Sequence, residues 1–165
     1  MKIVITGPEC SGKTTLVNGL KKHLEFGQVN EVAREYLQLR NNFYDVTSLY
    51  EIALLQRWEE KSKTDYPIVI CDTDLLTIII WKLEKYQIED QNLINFWLAS
   101  PTDMFFLCSP DMTWEYDPMR ENPNDRDRLF TIYETYLQKF NQPYQILKGS
   151  KEDRLNQVMK YVQSL

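Results

Sequence analysis

Residues 7–14 read GPECSGKT, a complete G-x-x-x-x-G-K-[S/T] motif. No other feature of the chain limits its folding so strongly, because the motif works only between a strand and a helix. Its flanks meet that demand. Lys2–Thr6 (KIVIT) is a short β-branched run suited to a buried strand. Leu16, Val17, Leu20 and Leu24 put an apolar stripe along a helix over Lys13–Glu25. Gly7 and Gly12 let the backbone turn tightly and aim amide N–H groups inward, and the positive end of the helix dipole adds to them. On these mechanics Gly7, Pro8, Glu9, Cys10, Ser11, Gly12, Lys13, Thr14 and Thr15 form a phosphate cradle. Lys13 reaches the β- and γ-phosphates of a nucleotide, and the Thr14 hydroxyl ligates Mg²⁺. The competing explanation is a chance match in a turn, and the correct flanks count against it.

The rest of the chain alternates short apolar runs with longer amphipathic ones. Strands are expected at Gln28–Val32, Pro67–Cys71 (PIVIC), Asp103–Cys108 (DMFFLC) and Tyr144–Leu147 (YQIL), making five with the first. Helices are expected at Arg34–Leu39, from Ser48 to about Lys63 with Ser48 and Glu51 as a capping box, at Leu75–Tyr86, Gln91–Ala99 and Arg128–Phe140, and at Ser150–Leu165 with Ser150 and Asp153 as its capping pair. Such alternation predicts an α/β fold with a five-stranded parallel sheet and helices on both faces. Ligands then sit at the carboxyl ends of the strands. The 165 residues show no linker or repeat and read as a single domain spanning 1–165.

Composition removes several function classes. With 19 Lys and Arg against 24 Asp and Glu, the net charge of −5 gives no global footprint for nucleic acid. No apolar run approaches the length of a membrane span. The N-terminal MKIVITG lacks a separate hydrophobic region with a cleavage site, so no secretory signal is expected. Three scattered cysteines suit a reducing, cytoplasmic setting. One histidine, His23, excludes a His-cluster metal site.

A phosphate cradle also needs a carboxylate at the end of a neighbouring strand to hold the magnesium shell. Asp72 follows the PIVIC strand and is the candidate; Asp74 suits an N-cap for the helix beginning at Leu75. A GTPase is excluded by the absence of an Asn-Lys-x-Asp motif and of a glycine after Asp72. What remains is a small kinase or an NTP-driven switch. A kinase brings a second substrate to the γ-phosphate, excludes water and supplies cations. Two stretches suit that work. In Glu31-Val32-Ala33-Arg34-Glu35-Tyr36 a carboxylate can face the cradle and accept a hydroxyl proton, although solvated helix-face charge explains Glu35 as well. In 114–128, WEYDPMRENPNDRDR, the arginines Arg120, Arg126 and Arg128 fit a lid, the plainer alternative being a surface loop with locally paired arginines.

Taken together these pieces resemble the ribosylnicotinamide kinase domain at the C-terminus of NadR-type NAD-biosynthesis proteins. The resemblance rests on ITGPECSGKTTL at 5–16, EVAREY at 31–36, CDTD at 71–74, Trp114-x-x-Asp117-x-x-Arg120, and NQPYQIL before the last strand. It implies a P-loop kinase fold with an arginine-bearing lid at about 114–128. It implies ATP-dependent phosphorylation of the 5′-hydroxyl of a ribonucleoside, nicotinamide riboside being the leading acceptor, with ATP and Mg²⁺ required. Carried over by match, Lys13 and Thr14 serve ATP–Mg²⁺, and Glu31, Arg34, Asp72, Asp74 and Asp117 line the nucleoside side. Trp114 is a pocket wall, Arg120 serves the transferring phosphate, and Arg126 faces the nucleotide. Glu31 is the expected base and Asp72 the magnesium carboxylate, two roles that could be exchanged. The pattern departs at Asn30, where the family often has an aromatic, and at Pro118, where a glycine is common. The adenylyltransferase domain that usually precedes this domain in NadR proteins is not part of the 165 residues. The expected partner is a small nucleoside, with no nucleic acid and no membrane; the alternative is an ATPase switch or sensor acting with a protein partner.

Other residues have plainer roles. Cys10 is a variable cradle position or a redox-sensitive thiol, and Cys71 and Cys108 are core thiols. His23 is expected on a surface helix. Trp81 and Trp97 are expected in the core. Lys148-Gly149-Ser150 is an adenine-side loop or simply a helix cap.

Overall fold

The computed structural model describes residues 1–115 and 124–164. The chain runs β1 (Lys2–Thr6), α1 (Lys13–Leu20), β2 (Gly27–Val29), α2 (Val32–Leu39), α3 (Val46–Lys61), β3 (Val69–Asp72), α4 (Leu75–Tyr86), α5 (Gln91–Leu98), β4 (Met104–Cys108), α6 (Arg126–Lys139), β5 (Tyr144–Leu147) and α7 (Lys151–Gln163). The five strands form one sheet in the order β2-β3-β1-β4-β5, every pair parallel. This is the expected α/β architecture, with all five strands found.

Each strand is covered on both sides, and the two-residue period divides it between two cores. Val4, Cys71, Phe105 and Leu107 face one core with α2, α3, α4, α5 and α6. Ile3, Ile5, Ile70, Phe106 and Cys108 face the other with α1 and α7. Burial pushes the Cys108 thiol up to about 11 and raises the Cys71 thiol further, so both stay protonated as core residues.

Several boundaries move for local reasons. α1 ends at Leu20 rather than Glu25, because Lys22 and His23 tighten into i→i+3 bonds onto Gly19 and Leu20. His23 therefore sits in an exposed turn just past the helix. α3 starts earlier than expected. Its cap is Asp45, whose carboxylate takes the Ser48 N–H at 2.8 Å while the Ser48 hydroxyl takes the Asp45 N–H at 3.2 Å. Glu51 is spent elsewhere, on Tyr36 and Arg40. α6 begins at Arg126, so Arg126 and Arg128 lie on a helix and not on a loop. The Ser150–Asp153 capping box of α7 is as expected.

Asp74 does not line the nucleoside side. It is fully buried as the N-cap of α4, taking the Leu76 N–H at 3.2 Å and the Trp97 indole N–H at 2.8 Å. That bond makes Trp97 the core residue expected of it. Burial pushes the Asp74 carboxyl up to about 6, with the charge of Lys2 and the indole bond opposing that rise. The folded protein thus holds this proton more tightly than the open chain, whose carboxyl titrates near 3.8. The sign follows: Asp74 favours the fold fully below about pH 4, and this contribution is lost as pH rises through about 6. Urea unfolding between pH 4 and pH 7 should show a decline of up to about 3 kcal/mol from this group, and Asp74→Asn should remove it. An unchanged pH slope in the variant contradicts the assignment.

Candidate active site

The parallel register sets the site. Ile5 pairs with Asp72, so the end of β3 lies beside the turn that leaves β1. That turn is built from special backbone. Gly7 has φ 133°, and a Cβ there would meet the Cys108 carbonyl at 2.8 Å; Gly12 has φ 80°. Cys10 also adopts a left-handed conformation, at φ 52°. Lys13 Nζ donates to the carbonyls of Gly7 (2.9 Å) and Pro8 (2.8 Å), and Ser11 Oγ to that of Pro8 (2.7 Å). α1 starts with no side-chain cap and no acidic residue in its first turn. Its leading N–H groups and positive dipole end suit an anion.

Asp72 is 3% exposed. Burial raises its carboxyl, while the Thr14 hydroxyl bond and the charges of Lys13 and Arg34 pull it down. Its Oδ1 is buried with no hydrogen-bond partner. An orphaned carboxylate oxygen next to the Thr14 hydroxyl is the donor set a hard cation takes in a phosphate site. Among the described residues no group of three or more His, Cys, Asp or Glu could hold a metal by itself. A magnesium ion, which favours one or two protein ligands plus phosphate oxygens, fits that pair.

A cavity of about 360 Å³ opens from the cradle toward α2, α4 and α6. Residues 7–15 form one end, with Glu31 and Arg34 beside them. Glu31 stands at the N-cap position of α2 without capping it, and its carboxylate is 3.8 Å from the Arg34 guanidinium. The far end carries Tyr44 and Trp81, whose rings lie 4.6 Å apart with the indole N–H on the Tyr44 hydroxyl at 3.1 Å. Thr77 and the buried Tyr133 close the floor through a 3.2 Å hydroxyl pair. Arg128 bridges Glu84, at the cavity wall, to Asp125.

The structure thus brings together Lys13, Thr14, Asp72, Glu31 and Arg34. Arg126 lies against the cradle, donating to the carbonyls of Cys10 (3.1 Å) and Met112 (2.9 Å) rather than facing a phosphate position. Trp114 does not line the cavity; the Arg126 guanidinium sits 5.7 Å from its ring. Asp117 and Arg120 fall in 116–123, outside the described residues, as does most of the expected lid. Gly149 donates to Asp111 at 3.0 Å and Ser150 caps α7, so the Lys148–Ser150 turn acts as a helix cap.

Trp81, expected in the core, is half-buried: it packs against the core and also forms part of the cavity wall. Thr77, Ile80, Trp81, Glu84 and Lys85 share one face of α4 at i, i+3, i+4, i+7 and i+8. The mixed polar and aromatic character of that face is the signal that could have found them. Tyr44, on the loop before α3, carries no comparable sequence signal.

A phosphate cradle after the first strand of a 2-3-1-4-5 parallel sheet defines a P-loop kinase fold. A family model described as an AAA domain matches residues 2–154, and the chain belongs to that family. No curated protein matches. Among solved structures, a NadR protein in complex with NR superposes with a TM-score of 0.82 at 19% identity, over 99% of this chain and 50% of that one. A NadR protein in complex with NAD and AMP-PNP gives 0.77 at 18% identity, over 97% and 49%. A deoxyadenosine kinase from M. mycoides with dCMP gives 0.70 at 16% identity, over 100% of both chains. The chain spans about half the length of the NadR chains it matches. At such identities the likeness is one of fold. No helix among the described residues is long and apolar enough to cross a membrane.

Gly7→Ala should destroy nucleotide binding, since its Cβ meets backbone at 2.8 Å in a conformation L-residues rarely adopt. Titration with a fluorescent ADP analogue tests this; an affinity within threefold of wild type contradicts the cradle geometry.

Proposed function

We propose that the protein is an ATP- and Mg²⁺-dependent kinase that phosphorylates the 5′-hydroxyl of a ribonucleoside, with nicotinamide riboside as the leading acceptor. The observation that carries this reading is the single cavity that joins the phosphate cradle to an aromatic-walled chamber, with Glu31 at the junction. A pure NTPase has no need of the chamber.

The chain's own residues divide the work. The cradle amides and Lys13 hold the β- and γ-phosphates and spread the charge that develops between them. Thr14 and Asp72 would hold Mg²⁺, which supplies Lewis-acid neutralisation of the phosphate oxygens. Tyr44 and Trp81 offer an aromatic surface to the base and fix the ribose end toward the cradle. The Glu31 carboxylate accepts the proton of the acceptor hydroxyl as its oxygen attacks the γ-phosphorus and ADP leaves. Arg34 orients that carboxylate. Asp117 and Arg120 are proposed, by the family resemblance alone, for the acceptor and the transferring phosphate.

Lys13→Ala should lower turnover by 10³-fold or more while the protein melts normally, and Glu31→Gln by 10²-fold or more, within the range of general-base catalysis. Chromatographic detection of the phosphorylated nucleoside measures both. Undiminished product formation in Lys13→Ala would sink the assignment. The alternative switch reading draws on the exposed Leu39, Phe43, Leu54 and Trp58 on α2, α3 and the loop between them, a surface a protein partner could cover. Turnover that responds to a partner and to no nucleoside would favour it.

A further inference from the structure

The cradle is held from outside by a residue of the last helix. Arg154, on α7, is 2% exposed. Its guanidinium reaches three separate segments. Nη1 donates to the Ser11 carbonyl at 2.7 Å, Nη2 to the Ser109 carbonyl at 3.0 Å and to the Asp111 carboxylate, and Nε to the Gly149 carbonyl at 3.1 Å. Asp111 in turn takes the Gly149 N–H at 3.0 Å. One side chain thus ties the cradle to the loop after β4 and to the turn before α7.

Simple stability does not account for this arrangement. A buried guanidinium with a single carboxylate partner carries a desolvation cost that a packed apolar side chain avoids. A salt bridge needs only the contact with Asp111; here three of the four hydrogen bonds the fork donates go to main-chain carbonyls, one of them in the cradle. The contact with Ser11 has a directional result. A trans peptide is planar, so its C=O and the following N–H point opposite ways. Fixing the Ser11 carbonyl toward Arg154 turns the Gly12 N–H away from it, toward the phosphate side of the cradle. Gly12 has φ 80° and no side chain to hold it, so the loop itself does not fix that orientation.

We propose that Arg154 is a positioning residue that orients the Ser11–Gly12 peptide for nucleotide phosphate binding. This rests on reading residues 7–15 as the nucleotide site. Lysine preserves the charge and the Asp111 pair but lacks the planar fork that reaches Ser11 and Gly149 together. A salt-bridge role is therefore rescued by Arg154→Lys, and a positioning role is not.

The test compares wild type, Arg154→Lys and Arg154→Met by thermal melting, by titration with a fluorescent ADP analogue, and by KM for ATP and for the acceptor. The expected result is a 10- to 100-fold weaker affinity for the analogue in both variants. KM for ATP rises in parallel, KM for the acceptor stays within twofold, and the Lys variant melts within a few degrees of wild type. Wild-type affinity for the analogue in Arg154→Lys overturns the proposal, whatever the Met variant does. If Arg154→Met does not fold, the Lys variant decides alone. Wild-type protein that binds the analogue but phosphorylates no nucleoside overturns the kinase reading and leaves the Arg154 comparison standing; wild-type protein that binds no nucleotide overturns both.

Discussion

The register between β1 and β3 governs the rest of the molecule. Because Ile5 pairs with Asp72, the carboxylate at the end of β3 falls beside the cradle that begins two residues beyond Ile5, and the Thr14 hydroxyl reaches it. A one-residue slip would turn Asp72 into the opposite core and bring Cys71 or Thr73 to the site. The register is held by burial on both faces: Val4 and Cys71 commit to one core, Ile3, Ile5 and Ile70 to the other. The same packing that stabilises the sheet therefore assembles a nucleotide site at its carboxyl edge, as parallel sheets tend to do.

Around that edge the chain uses buried or half-buried cations to hold main-chain carbonyls. Lys13 takes those of Gly7 and Pro8, Arg126 that of Cys10, and Arg154 that of Ser11. Three cations, on α1, α6 and α7, thereby fix a loop whose glycines would otherwise leave it loose. The cavity beyond the cradle, proposed to take the acceptor, is built differently, from the aromatic pair Tyr44–Trp81 and the hydroxyl pair Thr77–Tyr133. The two halves meet at Glu31 and Arg34, next to the start of α2.

Much of this was legible in the amino-acid sequence, and the reasons are physical. GPECSGKT carries its own mechanics, and strands buried on both faces read as short apolar runs, so the cradle, all five strands and Asp72 could be read directly. The chamber is not legible from hydrophobic periodicity alone. Leu75, Leu76, Ile78, Ile79 and Ile80 are buried on several sides of α4, so periodicity alone does not separate its cavity face from its core face. The residues themselves give Asp74 as the N-cap of α4, whereas the family resemblance puts it on the nucleoside side; Thr73 has φ 69°, and the structure has Asp74 capping α4. Arg126 reads in the sequence as a lid arginine, and Arg154 carries no signal there, because the cradle carbonyls of Cys10 and Ser11 that they bind are distant in the chain.

On the proposed reading the cradle and the chamber serve one reaction. The most direct measurement is ADP release from ATP–Mg²⁺ across a panel of nucleosides that includes nicotinamide riboside. One nucleoside should stimulate release many-fold and be consumed in equal amount. Tight ATP binding with release that no nucleoside stimulates would contradict that reading.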